Sequence, residues 1–273
     1  MNATEALRAL GEGKPLVHHL TNYVTVNLVA NVTLCTGALP VMAQSIEEVQ
    51  EMASGASALV INLGTLDTRF VDAALAAGRE ANRRGAPVVL DPVGAGATAL
   101  RTRSADRVLS ELSVAAVCGN AGEIATLAGL SAEVRGVESL SGDAREATAE
   151  AARALGTTVI ATGPTDYVSG SGRTLAVENG HPLMGRVVGS GCASTAVVGC
   201  FSAVSGGSGG SGGVTNGLDP GTAAAALAYF GRAGESAAEK ADGPGTLEPH
   251  LLDALAAFAE EPGGLDGLRV VEV

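Results

Sequence analysis

The segment Val187-Val188-Gly189-Ser190-Gly191-Cys192-Ala193-Ser194-Thr195-Ala196 sets a glycine-rich turn directly before an apolar helical run, with a cysteine at the junction. Glycine lets the backbone turn sharply and approach a ligand with no Cβ in the way. The first N–H groups of a helix lack internal partners and form an anion-binding end. Cys192 in that positive field is expected to favour its thiolate and to accept a proton. Such a junction suits a phosphoryl group arriving beside a hydroxyl that must lose its proton. The same residues also fit a tight turn with a structural cysteine, since cysteine is among the most buried residue types.

The elements that would hold this junction are read from apolar runs alternating with helical periodicity. Residues 15–19 read as a strand end, followed by Leu20-Thr21-Asn22 and a helix over about 23–35. Residues 58–62 read as a buried strand, and 67–84 as a long helix closed by Gly85 with Arg83 and Arg84 in its last turn. Residues 87–91, 114–118 and 157–161 are further strands, the Cys192 helix spans 193 to about 204, and a helical pattern resumes near Gly221. Strands separated by helices predict βαβ units and a mostly parallel sheet covered on both faces. Ligands collect at the carboxyl ends of such strands. There the sequence places Asn62-Leu63-Gly64-Thr65, the run 91–97 from Asp91 to Ala97, Gly119-Asn120-Ala121-Gly122-Glu123 and Thr162-Gly163-Pro164-Thr165-Asp166. Polar or glycine-rich ends gathered on one rim are the pattern of an active site.

Composition narrows the class. The chain has 273 residues, 46% of them hydrophobic but only 3% aromatic and none Trp, so its core is built from Val, Leu, Ile and Ala. A formal net charge of −12 argues against nucleic acid or an anionic membrane as the main partner. It leaves a nucleotide open, which needs only local donors and a metal. Cys35, Cys118, Cys192 and Cys200 form no C-x-x-C pair, so neither a zinc site nor a disulfide framework is expected, and a reducing cytoplasm is. No basic region followed by an apolar run opens the chain, and no apolar stretch reaches the roughly 18 residues of a membrane span. The run 205–213 has the Ser/Gly composition of a flexible loop, read as a connection between helices within one domain over 1–273. With Lys14 and Lys240 the only lysines, no phosphate-loop lysine exists and Walker-type chemistry is excluded.

In order along the chain, several segments resemble the hydroxyethylthiazole kinase family of the ribokinase-like superfamily. They begin with Leu16-Val17-His18-His19-Leu20-Thr21-Asn22-Tyr23-Val24, Pro40-Val41-Met42-Ala43 and Asn62-Leu63-Gly64-Thr65-Leu66. They continue with Leu90-Asp91-Pro92-Val93-Gly94-Ala95-Gly96-Ala97-Thr98, Arg101-Thr102 and Gly119-Asn120-Ala121-Gly122-Glu123-Ile124. Gly189-Ser190-Gly191-Cys192 and Gly243-Pro244-Gly245-Thr246 close the series. Each is weak alone; their order and spacing are specific, and they cover nearly the whole length.

The resemblance implies an α/β ribokinase-like domain without a separate lid. It further implies ATP- and Mg²⁺-dependent phosphorylation of the primary alcohol of 4-methyl-5-(2-hydroxyethyl)thiazole, in a homotrimer with sites at subunit interfaces. It makes Cys192 the residue nearest the substrate hydroxyl, with the N–H groups from Gly189 through Gly191 to Cys192 holding the phosphoryl charge. Met42, Gly189, Asn22 and Val24 are the implied thiazole contacts, with Asn22 also a candidate helix cap. Asp91 and Glu123 are the implied magnesium organisers, although Asn120 and Glu123 have capping-box spacing as well. Thr162, with Cys118 and Asn120, falls at the nucleotide positions. Cys118 departs from the family, which often carries a basic residue there; Arg101 and Arg186 are the cations left to replace that contact. Two other readings stay open: another ribokinase-like kinase, such as one acting on hydroxymethylpyrimidine, and a non-catalytic nucleotide or thiazole sensor.

Overall fold

Nine short strands join into one sheet of order β2-β1-β3-β4-β5-β6-β7-β8-β9 in a computed structural model that describes residues 1–129, 144–205 and 217–273. These strands are β1 (Leu16–Leu20), β2 (Leu39–Val41), β3 (Ala58–Asn62), β4 (Val88–Asp91), β5 (Ala116–Asn120), β6 (Thr158–Thr162), β7 (Asp166–Gly170), β8 (Arg173–Val177) and β9 (Val270–Glu272). The pairs from β2 through β6 are parallel, whereas β6 to β9 pair antiparallel. The predicted parallel half is therefore present. The antiparallel half was not foreseen, because its strands are short, β7 and β8 are joined by a tight turn at Ser171-Gly172 with both residues at positive φ, and β9 comes from the far end of the chain. The predicted strand at 114–118 begins two residues later, at Ala116.

Helices cover both faces. On one side α1 (Ala3–Gly13), α2 (Val26–Cys35), α8 (Ser190–Ser205), α9 (Pro220–Ala238) and α10 (Pro244–Glu260) enclose a core that includes Leu7, Leu10, Phe201 and Tyr229. On the other, α3 (Val49–Gly55), α4 (Thr68–Arg84), α5 (Ala99–Glu111), α6 (Ala121–Leu127) and α7 (Ala144–Leu155) pack over Leu59, Ile61, Leu75 and Leu90. Apart from the stacked pair Phe201–Tyr229, Phe230 and two cysteines, the buried residues of these cores are aliphatic, as the composition required. The long helix α4 matches expectation at both ends: the Asp67 side chain accepts from the Phe70 N–H, and Gly85 closes it at φ 73°.

Two helices start elsewhere than predicted, both for local reasons. Helix α2 begins at Val26, because the Asn22 side chain holds residues 23–25 in a turn by accepting from the Val24 and Thr25 N–H groups. Helix α8 begins at Ser190, so Cys192 lies in its first turn. Gly189 sits at φ +97°, where a Cβ would come within 2.7 Å of Thr25 Cγ2, so a glycine is required. Close approach of α8 to β3 depends on Gly199, whose added Cβ would meet Val60 at 2.4 Å. Residues 206–213 of the Ser/Gly run lie outside the described residues.

Candidate active site

Strand register does the first positioning. Asn62 pairs with Asp91 across β3 and β4, and Asn120 pairs with Thr162 across β5 and β6, so polar residues at four strand ends share one rim. Over this rim points the N-terminus of α8. Its first main-chain bond runs from Ala193 N–H to Gly189 O at 2.8 Å, leaving the earlier N–H groups facing outward.

Cys192 is half-buried, and two amides reach its sulfur: Asn62 Nδ2 at 3.2 Å and Asn22 Nδ2 at 3.4 Å. The expectation of a favoured thiolate needs correction. Burial and then the Asp91 carboxylate push the Cys192 thiol above its ordinary value, while hydrogen bonds from Thr25, Asn62 and Asn22 pull it back. Burial thus prevails over these hydrogen bonds, and the group rests as a thiol at neutral pH. Asp91 is 5% exposed; its Oδ2 accepts from Asn62 Nδ2 at 2.6 Å and from the Thr195 hydroxyl at 3.2 Å. Burial, followed by the charge of Glu123, raises Asp91 to about 7.

Glu123 does what its spacing with Asn120 suggested. Asn120 Oδ1 accepts from the Glu123 N–H and Glu123 Oε2 accepts from the Asn120 N–H, a complete capping box, while Glu123 Oε1 takes the Gly94 N–H at 2.7 Å. Glu123 therefore ties the loop after β4 to the start of α6. For a magnesium ion the donor set fits in part. Asp91 Oδ1 has no hydrogen bond among the described residues, whereas both Glu123 oxygens already accept main-chain N–H groups. Mg²⁺ keeps several waters and needs only one or two carboxylates. Asp91 offers the direct oxygen, and Glu123 fits a charge acting across water.

Two neighbouring cavities continue from this rim. One, of about 460 Å³, is lined by Asn120, Gly122, Thr162 and Tyr167; the other, of about 490 Å³, by Thr162, Asp166, His181, Ser190, Gly191 and Phe230 among others. Asn120 and Thr162 thus share a cavity. Cys118 does not join them: it is 2% exposed, packed in the core beneath α8, and burial beside Asp91 drives its thiol well above the ordinary value. Its β5 position points the side chain into the core and not into either cavity.

Arg101 is also committed elsewhere, donating to the carbonyls of Leu63, Gly64 and Val93 at 2.8–2.9 Å and clasping the loops after β3 and β4. Arg186 remains exposed, at the end of the 3-10 turn Pro182–Arg186 that leads into α8. Of the implied thiazole contacts, Val24 is 68% exposed, Met42 is half-buried and Asn22 is 4% exposed. Asn22 spends its whole side chain inside the protein, on Val24, Thr25, Asn62 and Cys192. Met42 is placed by its neighbour, since buried His18 reaches Ala43 O through Nε2 at 2.7 Å. Asn62, Thr195 and His18 were given no role from the sequence, although Asn62 was read as one of the polar strand ends on the rim.

In the larger cavity Asp166 accepts from the Gly163 N–H at 2.9 Å, and burial raises its carboxyl from 3.8 to about 6. A folded value above the unfolded one means that this carboxyl's share of stability is present below about pH 4 and lost as pH rises through 6. Asp166→Asn keeps an acceptor for Gly163 and is expected to raise the melting temperature at pH 8 by about 5 °C. Thermal melts from pH 8 downward check it: the gain should shrink toward pH 4.

Comparison with known proteins is consistent across methods. The model of the "HK: Hydroxyethylthiazole kinase family" matches residues 7–261. A hydroxyethylthiazole kinase of Rubrobacter xylanophilus is 69% identical over 271 residues, covering 99% of this chain and 98% of that one. The structure of a hydroxyethylthiazole kinase from Pyrococcus horikoshii superposes with a TM-score of 0.87 at 42% identity, over 99% of this chain and 98% of its own. A ribokinase-like superfamily protein of Enterococcus faecalis shares the fold, with a TM-score of 0.62 at 14% identity over 93% of this chain and 88% of its own.

Proposed function

Because the chain belongs to the hydroxyethylthiazole kinase family, and is therefore a phosphotransferase, we propose that it moves the γ-phosphoryl group of ATP to the primary hydroxyl of 4-methyl-5-(2-hydroxyethyl)thiazole in thiamin salvage. The observation that carries the site reading is the meeting of Cys192, Asp91 and the α8 N-terminus around one buried amide, Asn62. The alcohol oxygen attacks phosphorus, the bond to the bridging β–γ oxygen breaks, ADP leaves, and the hydroxyl proton passes to Cys192 in its thiolate form. Phosphoryl transfer has a loose transition state, so positioning and charge stabilisation matter more than base strength. The N–H groups at 190–192 face the charge on the transferring group. Asp91 and Glu123 would hold Mg²⁺, which would supply charge neutralisation on the phosphates. Asn120 and Thr162 line the nucleotide cavity, and Arg186 is the cation free to approach the phosphates.

The homotrimer reading is supported by exposed apolar residues near the mouth of the site. Tyr23 (74% exposed) and Val24 sit on a loop that packs Thr25 against Gly189, next to Val188 (74%), and Thr21 O binds Gln44 near exposed Ile46. Exposed large apolar side chains beside a polar site are what a subunit interface covers. Light scattering is expected to give three times the 26.9 kDa chain mass, and Val24→Glu to give the monomer. Among the described residues no helix is long and apolar enough to cross a membrane. All four cysteines are free, which suits a cytoplasmic setting.

The deciding experiment is ADP release from ATP and Mg²⁺ with the thiazole alcohol, beside hydroxymethylpyrimidine and no acceptor. Turnover with the thiazole alcohol alone supports this reading. Turnover with the pyrimidine alcohol instead makes the chain a different kinase of the same fold, and tight thiazole binding without turnover makes it a sensor.

A further inference from the structure

We propose that Asn62 is a positioning residue of the transfer site, whose side-chain amide holds the Cys192 sulfur and the Asp91 carboxylate in one arrangement, with Asn22 as the second arm of the cradle. The inference rests on the reading of Cys192 given above.

Asn62 is 2% exposed, and its amide is fully used. Its Oδ1 accepts from the Gly64 N–H and from Asn22 Nδ2, both at 2.9 Å; its Nδ2 donates to Asp91 Oδ2 at 2.6 Å and to Cys192 Sγ at 3.2 Å. The amide's orientation is dictated by the backbone. The Gly64 N–H can only donate, so the oxygen must face it and the nitrogen must face Asp91 and Cys192. Asn22 is oriented the same way: its Oδ1 accepts from the Val24 and Thr25 N–H groups at 3.0 and 3.1 Å, which leaves Nδ2 for Asn62 Oδ1 and for Cys192 Sγ at 3.4 Å.

Two N–H groups thus converge on one sulfur and fix its place at the rim. The link to Asp91 is the short one, as expected of a hydrogen bond to a carboxylate. A chain of hydrogen bonds in a buried setting polarises each member and makes the unit stiffer than separate pairs. Both residues reach the cradle through the fold: register sets Asn62 beside Asp91, and the turn after β1 carries Asn22 to them.

The test is a double-mutant cycle on kcat with a parallel KM for the thiazole alcohol. Asn62→Ala removes the cradle; Asn62→Asp keeps both bonds accepted by Oδ1 but replaces both donations. Each is expected to lower kcat about 10- to 100-fold with KM changed less than about threefold. In the Cys192→Ala background the same substitutions should cost at least fivefold less, because no sulfur remains to be held. Equal losses in both backgrounds, a loss confined to KM, or full activity in Asn62→Asp would overturn the proposal; the last would leave Asn62 only a loop anchor. Thermal melts accompany each variant, and the Asp form carries the cycle if the Ala form does not fold. Should Cys192→Ala itself cost nothing, the reading of Cys192 fails; should Cys192→Ala be slow and the losses simply multiply, this inference alone fails.

Discussion

Cys192→Ala is expected to lower kcat about a hundredfold, while Cys192→Asp keeps or raises it. Alanine removes the group nearest the hydroxyl and leaves the α8 N-terminus intact, so nucleotide binding should change little. Aspartate offers an oxygen acceptor of similar reach that is ionised at lower pH than the buried thiol. The resting thiol adds a second signature. Since burial and Asp91 hold the Cys192 thiol above its ordinary value, the reactive thiolate is scarce at neutral pH and grows as pH rises. The kcat of the unmodified enzyme should therefore climb through the alkaline range, and that of Cys192→Asp should be flatter there. Steady-state rates from pH 6.5 to 9.5 for all three proteins decide it, and an unimpaired alanine variant removes the base role.

Asp91→Asn is expected to cost kcat about 10²- to 10³-fold without loss of fold. The amide oxygen can still accept from Asn62 and Thr195, so the contacts that hold the strand ends survive. What disappears is the anionic oxygen left free of hydrogen bonds, the one that would face magnesium. A neutral amide is also cheaper to bury than a carboxylate, so the melting temperature at pH 8 should stay level or rise. Lower activity with an equal or higher melt separates a chemical role from a structural one. Glu123→Gln tests the companion carboxylate. It is expected to raise the magnesium concentration needed for half-maximal rate, and an unchanged titration would leave Glu123 as a helix cap and loop tie.

Much of the parallel half of the fold was legible in the sequence, because its signals are local. The runs that became β3 and β6 are short, apolar and bounded by polar turns, and α4 carries its own stop in Gly85. The antiparallel strands were not legible: β9 is three exposed residues whose pairing partner lies almost a hundred positions earlier. Motif residues were legible by type but not always by direction. Cys118 sits two β-strand positions before the rim residue Asn120 and faces the core, a fact set by which side of the sheet α8 covers.

The sequence by itself determined the chemistry available, namely a glycine-rich helix entry with a cysteine and carboxylates closing the strands. Periodicity and spacing are one-dimensional properties, and these features need nothing else. Only the tertiary structure decided how the groups are shared among neighbours. Asn22, Asn62, Asp91 and Cys192 are far apart in the chain and meet through strand register and the seat of α8. That meeting reverses the expected thiolate, because desolvation and a neighbouring carboxylate raise the thiol, and burial arises only once the chain is packed.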